Sequence, residues 1–423
     1  MRKILLATTA LVGFAVAGAA HAATSPLEVT IGGSTDFVAG AFHQSKASTV
    51  AVNGQKQNSD DFETLYELNF GVAGKMGAVQ YGGKLSLNNF HDIANLFGSA
   101  NNQSLYVTDA NIFLSSTYGK VVLGDSRGAT DLFLRAPSVG EGQANGRYID
   151  FLDTYAFAKN FVTNIDGVDH STNITYFTPK VGNDMHKVQA GVTFTPQFYD
   201  FGANTVKYKN NNIAVGDATS DNEISPYKNV IKGAANYTGT FKPVTVGVSA
   251  GIMTGNAYNS CSVGQAWIAN APQTPDDGVD PVEACTKVRD FTAWDVGANV
   301  AAEGFTVGGS YTDLGHYNTV GAQNRSQALY QAGVKYEFNK YGVAFNYLGG
   351  EGYGNILALP TTKVGSGRDA NYVRDFGAYG FGGTYTWASG LTTNLDGVFY
   401  NQKTQSNVKN DGYVFLVSQK LAF

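Results

Sequence analysis

The sequence predicts an all-β chain: a transmembrane antiparallel β-barrel of about sixteen strands, with a long third loop folded into the lumen. Three observations carry this. Apolar and polar residues alternate with period two in strand-length runs through most of the 423 residues. Charged residues are only 15% of the chain, while Gly reaches 51, Tyr 24 and Phe 26, and the mean hydropathy is −0.16. After Ala22 no apolar run is long enough to cross a membrane as a helix. A barrel dilutes its lipid-facing apolar residues with an equal number facing water. A soluble all-β sandwich shares the alternation, but the glycine and aromatic load favours the barrel.

At the start, Arg2 and Lys3 precede an apolar run from Ile4 to Ala20, and Ala20-His21-Ala22 has the small-x-small pattern of a signal-peptidase site. Residues 1–22 therefore read as a secretory signal, and residues 23–423 as one barrel domain. The other reading of such a run is an anchoring helix, for which it falls short of the ~20 residues needed. Losing Arg2 and Lys3 takes the formal charge from −5 to −7. A mildly acidic chain argues against a nucleic-acid surface.

The strands follow in order. Leu27, Val29, Ile31 and Gly33 alternate with Glu28, Thr30, Gly32 and Ser34. Tyr66, Leu68, Phe70 and Val72 alternate with Glu67, Asn69 and Gly71, and Val79 to Leu87 repeats the scheme. The link Ala73 to Gly77 is short and Asn88 to Gln103 is long, so short turns alternate with long loops. Strands near Leu105 to Thr117 and Lys120 to Asp125 turn at Tyr118-Gly119. Ser171 to Pro179, His186 to Pro196, Lys228 to Phe241 and Val244 to Thr254 continue the hairpins. Trp294 to Val300 and Phe305 to Tyr311 turn at Glu303-Gly304. Ser326 to Phe338, Tyr341 to Leu348, Val373 to Trp387, Leu391 to Gln402 and Asp411 to Phe423 complete sixteen. A barrel of that size encloses an aqueous channel. Tyr118, Phe177, Phe241, Tyr336, Phe338, Tyr341, Trp387 and Phe423 sit at strand ends, where interfacial girdles form.

One stretch breaks the alternation. Residues 125–170 follow a strand and carry seven acids (Asp125, Asp131, Glu141, Asp150, Asp153, Asp166, Asp169) against four bases (Arg127, Arg135, Arg147, Lys159). A long insertion rich in aromatics is a functional loop more often than a disordered one. Tyr148, Phe151, Leu152 and Tyr155 have the spacing of one face of a short helix, with Asp150 and Asp153 opposite. If the aromatic face packs on the inner wall, both carboxylates meet the lumen; a solvated surface turn is the alternative. The expected constriction residues are Arg127, Asp131, Glu141, Asp150 and Asp153. Lys84, Lys187, Lys232 and Lys335, on polar strand faces, are candidates for a basic wall opposite them. Acids facing bases across a narrow aqueous gap orient dipolar solutes, and the net acidic loop implies a weak cation preference.

Cys261 and Cys285, the only cysteines, flank a loop containing Pro and Asp. In an oxidising compartment they form a disulfide most simply, worth roughly 3 kcal/mol if unstrained; two unlinked thiols are the alternative. Asp276, Asp277, Asp280 and Glu283 could bind Ca²⁺ in an outer loop or be merely solvated. No other cofactor is expected. Gly247-Val248-Ser249-Ala250-Gly251 matches a hydrolase nucleophile elbow as a string, but the alternation runs straight through the serine where the elbow needs a strand, a sharp turn and a helix. The chain is not expected to be an enzyme.

The signal peptide, the short-turn and long-loop hairpins, the strand Tyr118-Gly119-Lys120-Val121-Val122-Leu123-Gly124 leading into a long third loop, and the ending Tyr413 to Phe423 together resemble the Gram-negative general porin family. The ending is similar to the terminal strand that the outer-membrane assembly machinery reads, with Phe423 as the signal residue and Gln419 at a position usually apolar. Pro137-Ser138-Val139-Gly140-Glu141-Gly142 is the nearest match to the family's loop tip, so constriction residues are not carried over from it. The resemblance implies export through the periplasm to the outer membrane, a homotrimer among lipid and lipopolysaccharide, and passive diffusion of small hydrophilic solutes and ions. A sugar- or anion-specific channel, a lipid hydrolase and an adhesin are the other readings.

Overall fold

In the computed structural model the described residues are 26–45, 59–89, 106–152, 170–198, 227–257, 290–317, 327–351, 373–404 and 409–423. The expected signal peptide, the cysteine pair, the acidic outer loop, Asp153 and Tyr155 lie outside them. The strands are β1 (Glu28–Gln44), β2 (Asp60–Met76), β3 (Val79–Asn88), β4 (Tyr106–Ser116), β5 (Gly119–Asp125), β6 (Thr172–Phe177), β7 (Val181–Gly182), β8 (His186–Gln197) and β9 (Tyr227–Phe241). They continue as β10 (Val244–Ala257), β11 (Phe291–Ala302), β12 (Phe305–Asp313), β13 (Ala328–Phe338), β14 (Tyr341–Glu351), β15 (Val373–Ala388), β16 (Leu391–Thr404) and β17 (Lys409–Ala422).

These 17 segments form one antiparallel sheet closed by β1 against β17, in register from Ser34↔Ala422 to Gln44↔Gly412. The last residue takes part: Gly33 and Phe423 exchange both backbone N–H···O bonds at 3.0 Å. Both β6 and β7 pair with β8, so they are two pieces of one strand position and the barrel has sixteen. The break falls at Pro179, which has no N–H for the ladder. Thr178 bridges it, donating its N–H to Ala190 O at 2.8 Å and accepting the Ala190 N–H on its hydroxyl at 3.0 Å.

Closure satisfies the backbone all round, which a sheet in hydrocarbon requires. The two faces then separate by parity. Phe37, Phe345, Phe381 and Val417 stand exposed on the outside, while Ser34, Asp36, Asn346, Asp396 and Ser418, one position off, are buried on the inner face. At the short turns, aromatic rings form a continuous row: Phe305–Tyr336 at 4.1 Å between centroids, then Phe338, Tyr341, Tyr385 and Trp387 in sequence. A second row joins Tyr330, Tyr347 and Tyr379. Tyr379 and Trp387 are eight residues apart on β15, about 26 Å along a strand. Tilted by ~40°, that length spans roughly 20 Å along the barrel axis, of the order of the ~25 Å apolar band between two girdles. Phe177 departs from the girdle expected of it: its position is inward, and its ring packs with Ala129 and Leu132.

Gln419, the polar residue on the outer face of β17, is not stranded there. Trp387 Nε1–H donates to Thr393 Oγ1 at 2.8 Å, Thr393 donates to Gln419 Oε1 at 2.6 Å, and Gln419 Nε2–H donates to Thr392 O at 2.9 Å. A chain of donors each with an acceptor makes the polar position tolerable at the girdle.

Candidate functional site

Beyond β5 the chain leaves the sheet and runs as irregular backbone from Ser126 to Leu152, broken by 3-10 turns at Gly128–Leu132, Gln143–Asn145 and Arg147–Phe151. Irregular backbone must find partners for its N–H and C=O groups outside itself. Here they are side chains of the polar strand face. Ala129 N–H donates to Thr193 Oγ1 of β8 at 2.8 Å, Leu134 N–H to Ser249 Oγ of β10 at 2.9 Å and Ala136 N–H to Gln331 Oε1 of β13 at 3.2 Å. Farther along, Ala144 N–H donates to Asn346 Oδ1 of β14 at 2.9 Å and Glu141 N–H to Asp396 Oδ2 of β16 at 2.9 Å. The segment is thus strung across the sheet from β8 to β17.

Its tip is the most tightly held part. Glu141 Oε1 accepts from Asn394 Nδ2 at 3.0 Å and from Ser418 Oγ at 2.5 Å, and Arg147 lies 3.7 Å from its other oxygen. Gln143 Nε2 also donates to Asp396 Oδ1. Asp36 of β1 brings its carboxyl alongside Glu141, with Lys420 and Arg147 nearby.

Past the tip the contacts turn apolar. Tyr148, Phe151 and Leu152 are buried in one cluster with Val38, Phe42, Tyr400, Val414 and Leu416 of the wall. The Phe151 ring lies over Gly40, where a Cβ would meet it at 2.4 Å, and the Tyr148 and Tyr400 rings are 6.3 Å apart. Burial pushes the Tyr148 phenol well above its ordinary pKa, so it stays neutral. The three apolar residues pack as their spacing implies, but on a single 3-10 turn, not on an α-helix: Leu152 is already extended, at φ −102° and ψ 147°. Side-chain anchoring to the wall replaces the helical ladder that the spacing suggested.

The two ends of the insertion meet at a polar neck. Arg127 Nε–H donates to His170 Nε2 at 3.1 Å, His170 Nδ1 is 3.5 Å from Asp109 Oδ1, and Asp109 Oδ2 is 2.8 Å from Lys84 Nζ. A chain of alternating partners joins residues 127 and 170 to β3 and β4.

The expected constriction residues therefore stand in different surroundings. Asp131 is exposed, and Asp150 is half-buried and 3.7 Å from Arg147. Arg127 belongs to the neck, and Glu141 is buried among wall side chains. The lysines do not form one wall. Lys84 is tied to the neck, and Lys232 is 0% exposed, with Nζ 3.4 Å from Arg127 O and 5.4 Å from the Phe198 ring. Lys187 and Lys335 lie toward the short turns, Lys335 bridged to Glu337 at 2.9 Å. The sequence reading did not single out Ser249, Gln331, Asn346, Asn394, Asp396 and Ser418 as anchors. Their one signal is a polar side chain at an inward position. Among the described residues no group of three His, Cys, Asp or Glu is placed to hold a metal ion.

A family model for Gram-negative porins matches residues 7–405. No curated protein sequence matches the chain. Among solved structures, it is similar to the outer membrane channel DcaP of Acinetobacter baumannii, with a TM-score of 0.53 and 14% identity over 94% of this chain and 97% of that one. It is also similar to an anion-selective porin from Comamonas acidovorans (TM-score 0.52, 12% identity, 94% and 100% covered) and to Salmonella typhi OmpF in complex with daunomycin (0.52, 13%, 94% and 98%). At such identities the likeness is one of fold, and it agrees with the closed sheet. The chain belongs to the Gram-negative porin family and is a channel of the outer membrane.

Proposed function

We propose that the protein is a trimeric channel for passive diffusion of small hydrophilic solutes and ions, with a weak cation preference, and that residues 126–152 cross the lumen and narrow it. One observation carries this: the insertion is hydrogen-bonded to inward-facing side chains from β8 round to β17. A segment so anchored obstructs part of the cross-section and leaves the rest to water.

Support for the sign of the selectivity comes from charges at the level of that segment. Asp36, Glu67, Asp109, Asp295 and Asp396 share the inner strand face, and the segment adds Asp131, Glu141 and Asp150. Against them stand Lys84, Lys232, Arg127, Arg135 and Arg147, with Lys232 wholly buried. A modest surplus of carboxylates in a low-dielectric annulus biases ions by sign without forming a binding site. Planar-bilayer recordings test the reading. Ohmic conductance in groups of three steps is expected, with a reversal potential of the cation-selective sign in a KCl gradient. Silent bilayers would sink the channel, single steps the trimer, and an anion-selective potential the preference.

A further inference from the structure

We propose that the short-turn mouth of the barrel is a collecting site for multiply charged anions, lying below the narrowing and separate from it. The inference rests on the channel reading for its consequences, but its chemistry is that of the wall.

Lys75 on β2, Lys120 on β5, Lys187 on β8, Lys335 on β13 and Lys420 on β17 all occupy inward positions. Each lies on the turn side of the insertion. On β8 the anchor is Thr193 and Lys187 is six residues nearer the turn. On β13 the anchor is Gln331 and Lys335 is four nearer. On β17 the anchor is Ser418 and Lys420 is two nearer the end, while on β5 Lys120 comes five residues before the chain departs at Asp125. These strands are spread round the barrel, so the ammonium groups surround the mouth from several sides. Lys242 and Lys340 sit at the turns, and Lys180 at the break between β6 and β7.

Carboxylates at this level are fewer. Glu28 and Glu337 face inward, the latter bridged to Lys335, while Asp184, Glu303 and the terminal carboxylate of Phe423 are at the rim; Lys420 stands opposite Asp36, one of the carboxylates at the insertion's own level, and so adds least to the mouth. Cations remain in excess, and some are held close to the wall: Lys120 Nζ lies 4.7 Å over the Phe113 ring.

At ~0.1 M salt the Debye length is about 10 Å and neighbouring strands are ~4.8 Å apart, so lysines two or three strands apart, as Lys420, Lys75, Lys120 and Lys187 are, act together on a solute carrying several charges, while those on the far wall are screened. Lysines serve such a solute as point charges on flexible stems, attracting it without fixing one geometry. The carboxylates at the level of the insertion then oppose its onward passage. An anion arriving from the short-turn side is therefore retained and obstructs the current, whereas from the long-loop side it meets the narrowing first.

The probe is inorganic tripolyphosphate, added to one side and then the other of single channels in 0.1 M KCl. The wild type is expected to be half-blocked at a concentration about tenfold lower on one side. In the variant carrying Lys75→Gln, Lys187→Gln and Lys335→Gln, that side loses its sensitivity and the difference falls within about twofold; 1 M KCl has the same effect on the wild type. Equal block from both sides, or a difference that survives the three substitutions, overturns the proposal. Calorimetric titration of the folded protein in detergent separates the two readings. If bilayers are silent yet tripolyphosphate binds and the variant binds about tenfold less tightly, the anion site stands and the channel falls. Conductance without any side-dependent block and without calorimetric binding leaves the channel and removes the site.

Discussion

Glu141 shows what a single residue does in this barrel. As one of seven acids in a net acidic loop it reads as a charge for the solute, but its carboxylate is buried and spent on Asn394 and Ser418, 253 and 277 positions away in sequence. No local pattern could reveal partners at that distance. Glu141→Ala takes one acceptor from the Asn394 amide, the Ser418 hydroxyl and Arg147, which costs about 1–3 kcal/mol. The tip should detach, giving noisier single-channel current and a lower unfolding midpoint, while Ser418→Ala, removing one donor, should cost about 1 kcal/mol and leave the current quiet. Equal effects of the two substitutions would show that Glu141 is not the hub. Ser249 carries the same lesson: the serine of Gly247-Val248-Ser249-Ala250-Gly251 lies on an unbroken strand, and its hydroxyl accepts the Leu134 N–H.

For whole elements, legibility depends on whether the signal is local. The period-two pattern is local, so sixteen strand positions could be counted from sequence, and Glu303-Gly304 turns with φ of 50° and 88°, as a tight hairpin asks. The expected strand Ser171 to Pro179 stops at that proline; the structure adds β7 beyond it, because the Thr178 hydroxyl carries the register across the break. The insertion was readable as an exception and in its apolar contacts, not in its backbone, since spacing alone cannot distinguish a helix from a 3-10 turn held by a wall. Its fit depends on one missing side chain. Gly40→Val would drive a branched Cβ into the Phe151 ring, where even a methyl has only 2.4 Å. The insertion should lift from β1, lowering thermal stability by about 1–3 kcal/mol and raising conductance. Unchanged conductance would show that the Phe151 contact does not position the narrowing. At the other end of the sheet, deleting Phe423 removes the two backbone bonds to Gly33 that finish the closure. The folded, heat-modifiable form recovered from outer membranes should fall, and recovery at wild-type levels would mean that closure and assembly do not need this residue.

Across the whole molecule, charge is sorted along the axis and not simply across it: carboxylates predominate at the level of the insertion, and lysines at the short turns. The sequence could supply the residues but not this sorting, because height in a tilted barrel depends on strand register. Of the four lysines expected opposite the loop, Lys232 is buried beneath it, Lys84 is tied to its neck, and Lys187 and Lys335 lie below it. Ion preference should therefore depend on the acids at the crossing that still meet water. Asp131 is exposed, whereas Glu141 is enclosed by the wall and beside Arg147. Removing one water-exposed charge from the proposed narrowing shifts the energy of a passing ion by a fraction of a kcal/mol, about a twofold change in permeability ratio. Asp131→Asn should accordingly move the reversal potential in a KCl gradient toward zero by that factor. Glu141→Gln, which keeps an oxygen for Asn394 and Ser418, should move it much less. The two substitutions remove the same formal charge, so a larger shift from Glu141→Gln would show that the buried carboxylate, and not the exposed one, sets the preference.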